Sequence, residues 1–446
     1  MNTYTPEIQA VLAAARDAGV EAEVYLRAST ATTIRIQDQE VDQFSLADSR
    51  GAGIRVVKDG KVGYAFTEDL SGDALLRTLE AAITNAGLIP EGKGATLASF
   101  AGETVELGLH RPELAAVAVP LKIEKAKALE RIAKESDPRI KNVTSTAYTD
   151  THGFVRIAST AGVDRSYQSS IAMMATVPLL HADGQNKNYY QIKAVRDFDA
   201  LDPEAIAREG VARAAEKLGA FEPQSGAYPV LIDSDPMGDL LQVFAGVFSG
   251  KLAQEGKTLL KDKVGEAIAS AAITIVDDPL NVEGYGARPF DDEGCPSQVV
   301  TLVEAGVFKG FLHNAETARQ AGVASTGHAA RAGYRGTVEV APSNLYLAPG
   351  ARTPEAILAE FDRAVIVTEV TGLHAGANPI SGDFSLQAQG FLWEGQKRSP
   401  IHNFTISGNF YALLSGVSEV ASDLEWFTSG IGSPSVLVKE LAIAGA

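Results

Sequence analysis

The sequence predicts an α+β protein of two domains: an N-terminal mixed domain of helices and sheet, then a β-rich C-terminal domain. Three observations carry this. The early elements read helix, several strands, helix, which is not the alternation of a βαβ wind. Glycine is abundant, at 42 of 446 residues, while aromatics are only 7%, so many turns are expected. A Pro-, Ser- and Gly-containing break, Phe221–Ala227, separates a finished helix from a new strand. The expected domains are therefore 1–220 and 226–446, with a connector at about 87–118.

The first helix starts at Thr5-Pro6, with Pro suited to the first helical position. Ile8, Val11, Leu12 and Ala15 share one face, and Gly19 ends it. Strand-like runs follow at Ala22–Ala28 and Thr32–Gln37. Gly53–Lys58 and Lys61–Phe66 flank Asp59-Gly60, a two-residue hairpin turn. Ser71 opens a helix to about Ala86, with Leu75, Leu76, Leu79 and Ile83 on its apolar side. Residues 87–118 lack periodicity. Leu121–Lys134 is helical, with Ile123, Ala126, Leu129 and Ile132 inward. Phe154–Ser159 and Val163–Ser169 are strands joined by Thr160-Ala161-Gly162, and Ile171–Leu179 continues the pattern. Asp202, Pro203 and Gly219 frame another helix. The second half opens with strand Tyr228–Ile232 and a helix from Asp235-Pro236 to about Phe248. Short strands with Gly-rich turns follow, interrupted by a helix at Pro354–Phe361. Residues 334–446 read mostly as β, and no internal repeat is visible.

Composition narrows the function. Acidic residues outnumber basic ones 56 to 39, for a formal charge of −17, and no basic run is present. A nucleic-acid binder needs a concentrated cationic face, so no direct nucleic-acid partner is expected. No stretch approaches the roughly 18 apolar residues of a membrane span. No signal-peptide pattern is present, so a cytoplasmic location is the expectation. The single cysteine, Cys295, excludes an internal disulfide and a Cys-based metal cage.

A zinc hydrolase needs convergent ligands and a base for the bound water. The seven histidines are His110, His152, His181, His313, His328, His374 and His402. None is followed by Glu and no two lie within five residues, so a helical zinc motif is absent. His313 and Glu316 would share a helix face, where a surface polar pair is the favoured reading. His328 and His374 sit beside Gly in loops, where solvent exposure is expected. Cys295 follows Asp291-Asp292-Glu293, and these carboxylates would disfavour a thiolate. The same acidic run offers oxygen ligands for a hard cation, against a plain polar turn, which is favoured. No serine sits in Gly-x-Ser-x-Gly. Gly284-Tyr285-Gly286 and the 429–433 segment lack the Lys and helix of a phosphate loop.

Several blocks together resemble the TldD/PmbA proteins: Gly51–Tyr64, Pro289–Gly294, Leu302–Leu312, Gly382–Gly390, Phe404–Phe410 and Gly432–Val438. TldD-like members carry a helical His-Glu-x-x-x-His zinc motif and a further Cys ligand near the C-terminus. PmbA-like members, also called TldE, lack them. The two arms pair as a heteromeric peptidase acting on extended peptides, and the family names also point to modulators of DNA gyrase. Set against that motif, Gln242 falls at the first His, Val243 at the Glu and Val247 at the second His. No Cys lies between Glu419 and the C-terminus. The resemblance therefore implies a subunit with no catalytic residue and no metal of its own, beside a zinc-bearing partner. It also offers Ser407, Asn409 and Phe410 as contacts to substrate or partner, against a plain strand end and turn. Two other readings stay open: a homodimeric peptide- or protein-binding regulatory module without hydrolytic activity, and an enzyme built on Asp291–Glu293.

Overall fold

The structure is a computed structural model that describes residues 3–90 and 94–445. Residues 1–2 and 446, at the ends of the expected domains, and residues 91–93 of the expected connector lie outside the described residues. The chain forms two compact units. The first holds the residues up to Ala215 together with Pro289–Pro296 and Ala329–Glu339; the second holds Glu216–Arg288, Ser297–His328 and the residues from Val340 on. The α+β class read from the sequence is the class observed.

The first unit is one antiparallel sheet with helices on one face. Its elements are α1 (Thr5–Asp17), β1 (Glu21–Gln37), β2 (Glu40–Lys58), β3 (Lys61–Thr67), α2 (Gly72–Gly87), α3 (Pro112–Ala116), α4 (Val119–Glu135), β4 (Ile140–Ser159), β5 (Asp164–Ala182), β6 (Gln185–Asn188), β7 (Gln191–Val195) and α5 (Pro203–Glu216). The strand order is β3-β2-β1-β4-β5-β6, with β7 also on β5. β1, β4 and β5 run for 17, 20 and 19 residues. Strands this long give one face room for two helix groups side by side. Side chains alternate faces along a strand, so Val24 and Leu26 lie on the same side as Ile34 and Ile36. Val24 and Leu26 pack with Val11 and Leu12 of α1 and Leu75 and Leu79 of α2. Ile34 and Ile36 pack with Leu129 of α4 and Ile206 of α5.

The opposite face is covered by the two segments that return from late in the chain. Phe290 packs on Tyr25, Val155 and Ile157. Glu23, only 3% exposed, pairs with Arg55 at 2.8 Å and with Arg331. Arg55 also pairs with Glu293 at 2.7 Å. Asp291 is fully buried; its Oδ1 accepts from the amides of Glu293 and Cys295, and its Oδ2 from that of Ala329. Asp292 accepts from the amide of Arg331 at 2.7 Å. The carboxylates at 291–293 are thus occupied by arginines and amides, as the polar-turn reading expects and not as an open cation site. Gly51 and Gly53 make the approach possible: a Cβ on either would stand 2.5 Å from an atom of Tyr334.

The second unit begins with β8 (Gly226–Ile232) and α6 (Ser234–Phe244). A sheet runs 397–409, 383–394, 363–371, β8, 436–444, 417–420, and 397–409 also pairs with 436–444, so five of these strands close on themselves. A second, six-stranded sheet is built from 300–304, 307–308, 275–277, 345–347, 425–426 and 431–433. One apolar cluster joins α6 to both: Met237, Leu240, Leu241 and Phe244 pack with Val230 and Val365 of the closed sheet and with Ile275 and Leu345 of the other.

Glu23→Gln should unmask the network. Arg55 would keep Glu293, while Arg331 would lose its buried counter-charge. Breaking a buried pair on one side costs about 3–5 kcal/mol. The expected result is a lower urea midpoint with an unchanged slope; a change within about 0.5 kcal/mol would show that the pair contributes little.

Candidate functional site

The helix α6 carries the positions set against the zinc motif. Asp233 caps it, its side chain accepting from the amide of Ser234 at 3.1 Å. Pro236, Met237, Leu240, Leu241 and Phe244 turn inward. Gly238 is forced, since a Cβ there would lie 2.6 Å from the Phe427 ring. The helix is shorter than the expected Asp235–Phe248. After Phe244 it tightens into a 3₁₀ turn, Ala245–Phe248. The three positions differ in burial. Gln242 is exposed and Val243 half-buried, whereas Val247 is 2% exposed within the core cluster. One amide and two aliphatic side chains stand at these positions, and neither valine carries a lone pair for a metal. These residues do not fit a zinc ion. Among the described residues, no three His, Cys, Asp or Glu side chains are grouped so as to hold one.

What the outward face of α6 does carry is acid. Asp235, Asp239 and Gln242 stand at i, i+4 and i+7, one stripe of a helix. Burial, aided by Asp239, Asp233, Glu425 and Glu369, pushes the Asp235 carboxyl up to about 6. Burial also raises Asp239. Ser435, fully buried, stands between two more acids: its Oγ is 2.9 Å from Oδ1 of Asp233 and 2.7 Å from Oδ2 of Asp423. A carboxyl titrating near neutrality can exchange a proton or receive a cationic group. The sequence reading used Asp235 only as a helix start. The available signal was two acids four apart on an otherwise apolar helix.

The 406–410 segment divides between surface and core. Ser407 is exposed, with its hydroxyl on that of Ser385 at 3.1 Å. Asn409 ends the strand and caps the helix Phe410–Gly416, accepting from the amides of Tyr411 and Ala412. Its Nδ2 donates to the Ser381 carbonyl and to Asp383, each at 2.9 Å. Phe410 is fully buried and stacks on Phe244 with ring centres 4.5 Å apart, which removes it from any surface contact. Beside Asn409 lies a cavity of about 370 Å³, lined by Leu259, Leu260, Lys263, Ile268 and Tyr411 among others. Burial raises the Tyr411 hydroxyl, which keeps it a donor.

Two histidine expectations are corrected. His313 precedes the helix Ala315–Ala321 and is 7% exposed, bonded to Thr317 at 3.1 Å; Glu316 is exposed. They form no surface pair, because Asn314 and Thr317 close a capping box between them. His328 is fully buried, its Nε2 2.9 Å from Asp277. A neighbouring glycine signalled a loop, but not that the loop is interior. His374 is exposed, as expected.

The acidic stripe gives a pH prediction. The folded carboxyl of Asp235 binds its proton more tightly than the unfolded one. Ionising it therefore opposes folding, and stability is lost as pH rises through about 6. Asp235→Asn should raise the melting temperature at pH 8, with the gain vanishing below about pH 4. A gain independent of pH would refute the assignment.

Comparison with known proteins covers nearly the whole chain. Three family models match: PmbA/TldA metallopeptidase domain 1 over residues 22–86, the central domain over 112–218 and the C-terminal domain over 225–445. The metalloprotease PmbA of Escherichia coli O157:H7 is 27% identical over 429 residues, covering 95% of this chain and 92% of that protein. A Thermotoga maritima protein, described as a candidate modulator of a DNA gyrase, superimposes with a TM-score of 0.92 at 31% identity, over 99% of this chain and all of that one. TldE from Thermococcus kodakarensis does so with a TM-score of 0.90 at 25% identity, over 98% of this chain and all of that one. The chain belongs to the PmbA/TldD metallopeptidase family.

Proposed function

We propose that this chain is the zinc-less, non-catalytic subunit of a cytoplasmic TldD/TldE-like peptidase complex that acts on extended peptides. The observation that supports this is the donor chemistry of the motif helix. An exposed amide at Gln242, a half-buried Val243 and a core Val247 supply neither ligands nor a general base. Likeness over nearly the full chain to a solved protein named TldE agrees with it. In this reading the zinc-bearing sister chain supplies the metal and the base, and this chain completes the interface and walls the substrate. Its own contribution to chemistry is electrostatic. Partly buried carboxylates along α6 make that helix attractive to a cationic group of a bound peptide.

The deciding experiment is co-expression with a zinc-bearing TldD-like chain, followed by peptidase assays of each chain alone and of the pair. Cleavage is expected from the pair and none from this chain. Cleavage by the lone, metal-stripped chain would overturn the reading, as would stoichiometric zinc bound tightly to it. A stable homodimer that never takes up the sister chain would favour a binding module. Grafting the motif should also fail. Val247→His buries an imidazole at a core position without a partner and should cost about 1–3 kcal/mol, measurable as a lower denaturation midpoint, without conferring zinc binding.

A further inference from the structure

The cavity beside Asn409 takes no part in the chemistry of α6, none of whose residues lines it. Its volume of about 370 Å³ falls at the lower end of the roughly 300–1,000 Å³ usual for ligand pockets. Two walls build it. One is the segment 259–268. Its Gly265 amide donates to the Phe308 carbonyl at 2.8 Å, and its Ile268 amide to the Gly306 carbonyl at 2.9 Å. The Phe308 amide donates back to the Glu266 carbonyl at 2.9 Å. The other wall is the helix Phe410–Gly416, with Tyr411, Ala412 and Ser415 on the cavity. The Ser270 amide ties the two together by donating to the Leu414 carbonyl at 3.0 Å. Walls fixed by main-chain bonds are in place before a ligand arrives, so binding costs little ordering.

Most of the lining is apolar, from Leu259, Leu260, Ala267, Ile268 and Ala412. Leu260 belongs to the core, but Leu259 is 55% exposed and has an apolar face to cover. The polar groups are mostly spent. Asn409 donates to Ser381 and Asp383 and accepts from two helix amides. Ser415 has one hydroxyl proton, with the Tyr411 carbonyl at 2.9 Å and the Ile268 carbonyl at 3.3 Å to take it. The Tyr411 hydroxyl is buried in the protein, so the ring is what meets the cavity. Lys263 differs. Its ammonium has three donors, and its one ion pair among the described residues is with Glu266 at 2.7 Å, both side chains being about half exposed. An exposed pair of this kind is worth at most about 1 kcal/mol, so the ammonium can turn to another anion at little cost. The surrounding run is cationic as well: residues 257–263 hold three lysines and one acid, in a chain of formal charge −17.

These features restrict the occupant. The lining asks for an apolar body. A ligand with several polar groups would leave them without partners against it, and a cationic one would face Lys263. A single anionic end meets the one group with donors to spare. We infer that this cavity binds a molecule whose phenyl-sized or branched aliphatic body ends in one carboxylate, the body against Leu259, Ile268 and the Tyr411 ring and the carboxylate on Nζ of Lys263. A free monocarboxylic acid and the apolar C-terminal residue of a peptide share this chemistry. The inference stands whether or not the chain is catalytically silent.

The probes are 3-phenylpropanoate and acetyl-Ala-Phe, titrated into the full chain by calorimetry beside their uncharged counterparts, 3-phenylpropan-1-ol and acetyl-Ala-Phe-amide. Saturable binding of a carboxylate is expected, at least about threefold tighter than that of its counterpart. Tighter binding of phenylpropanoate identifies a free acid as the source, and tighter binding of the dipeptide a peptide C-terminus. Lys263→Met, at an exposed position, should remove the preference and leave the uncharged compounds unaffected. Ala412→Phe, also at an exposed position, should fill the cavity and weaken the carboxylate at least tenfold, with an unchanged far-UV spectrum. Four outcomes would each overturn the inference: no saturable binding, acid and counterpart bound within threefold of each other, a preference that survives Lys263→Met, or undiminished binding by the Ala412→Phe variant.

Discussion

Glu23 governs the architecture of the first unit. It sits near the start of β1, on the sheet face that no helix covers, and it is nearly inaccessible to water. A carboxylate taken out of water without partners is prohibitively costly. It is therefore held by Arg55 from the adjacent strand and by Arg331 from the far end of the chain. Arg55 in turn needs more than one acid. Burial opposes its charge, and Glu23 with Glu293 more than offsets that, so its pKa stands above the ordinary arginine value. The segments 289–296 and 329–339 have to return to this face for the charges to balance. The two glycines on β2 are shaped by that return.

This explains what the sequence disclosed and what it withheld. The acidic run at 291–293 is visible in the sequence, and a polar turn is the right class for it. Its partners are not visible, because Arg55 lies 238 residues from Glu293 and Arg331 lies 39 from Asp292, with other acids having an equal formal claim. The α+β class, the helices Thr5–Asp17, Gly72–Gly87, Val119–Glu135 and Pro203–Glu216 and the Asp59-Gly60 hairpin were legible, since each rests on local periodicity or turn chemistry, whereas the short helices Pro112–Ala116 and Phe410–Gly416 were not. The start of β2 was not. It follows a tight turn at Asp38-Gln39 in which both residues have positive φ, 52° and 63°, with no glycine to announce it. The turn survives because the buried Glu130 carboxylate accepts from both turn amides, at 2.8 and 2.7 Å. A long-range contact thus replaces the residue that would have been the signal.

The same division runs through the motif helix. Its inward residues obey helical periodicity and were read correctly as packing. Its end was misplaced, because the passage from α to 3₁₀ pitch at Ala245 follows from where Val247 and Phe248 enter the core, and not from a capping residue. The chemistry of the outward face was missed for a different reason. Asp235 and Asp239 look like ordinary helix-start acids. Only the fold shows that Asp233, Glu425 and Glu369 act on Asp235 and that burial raises both carboxyls.

Packing and chemistry are therefore carried by opposite faces of one element. The face of α6 that joins the two sheets tolerates little: a Cβ at residue 238 already collides with Phe427. The outward residues Asp235, Asp239 and Gln242 take no part in that cluster. A peptidase family can in this way keep one scaffold across members that differ in what that helix offers. Edge residues 40–50 show the same logic in a strand. Their hydrogen bonds to β1 fix the backbone, while their side chains stand largely exposed. Where local rules and packing agree, the residue is structural. Where a well-packed element presents an uncompensated acid or an uncovered apolar side chain to solvent, the free energy left unclaimed is available for binding.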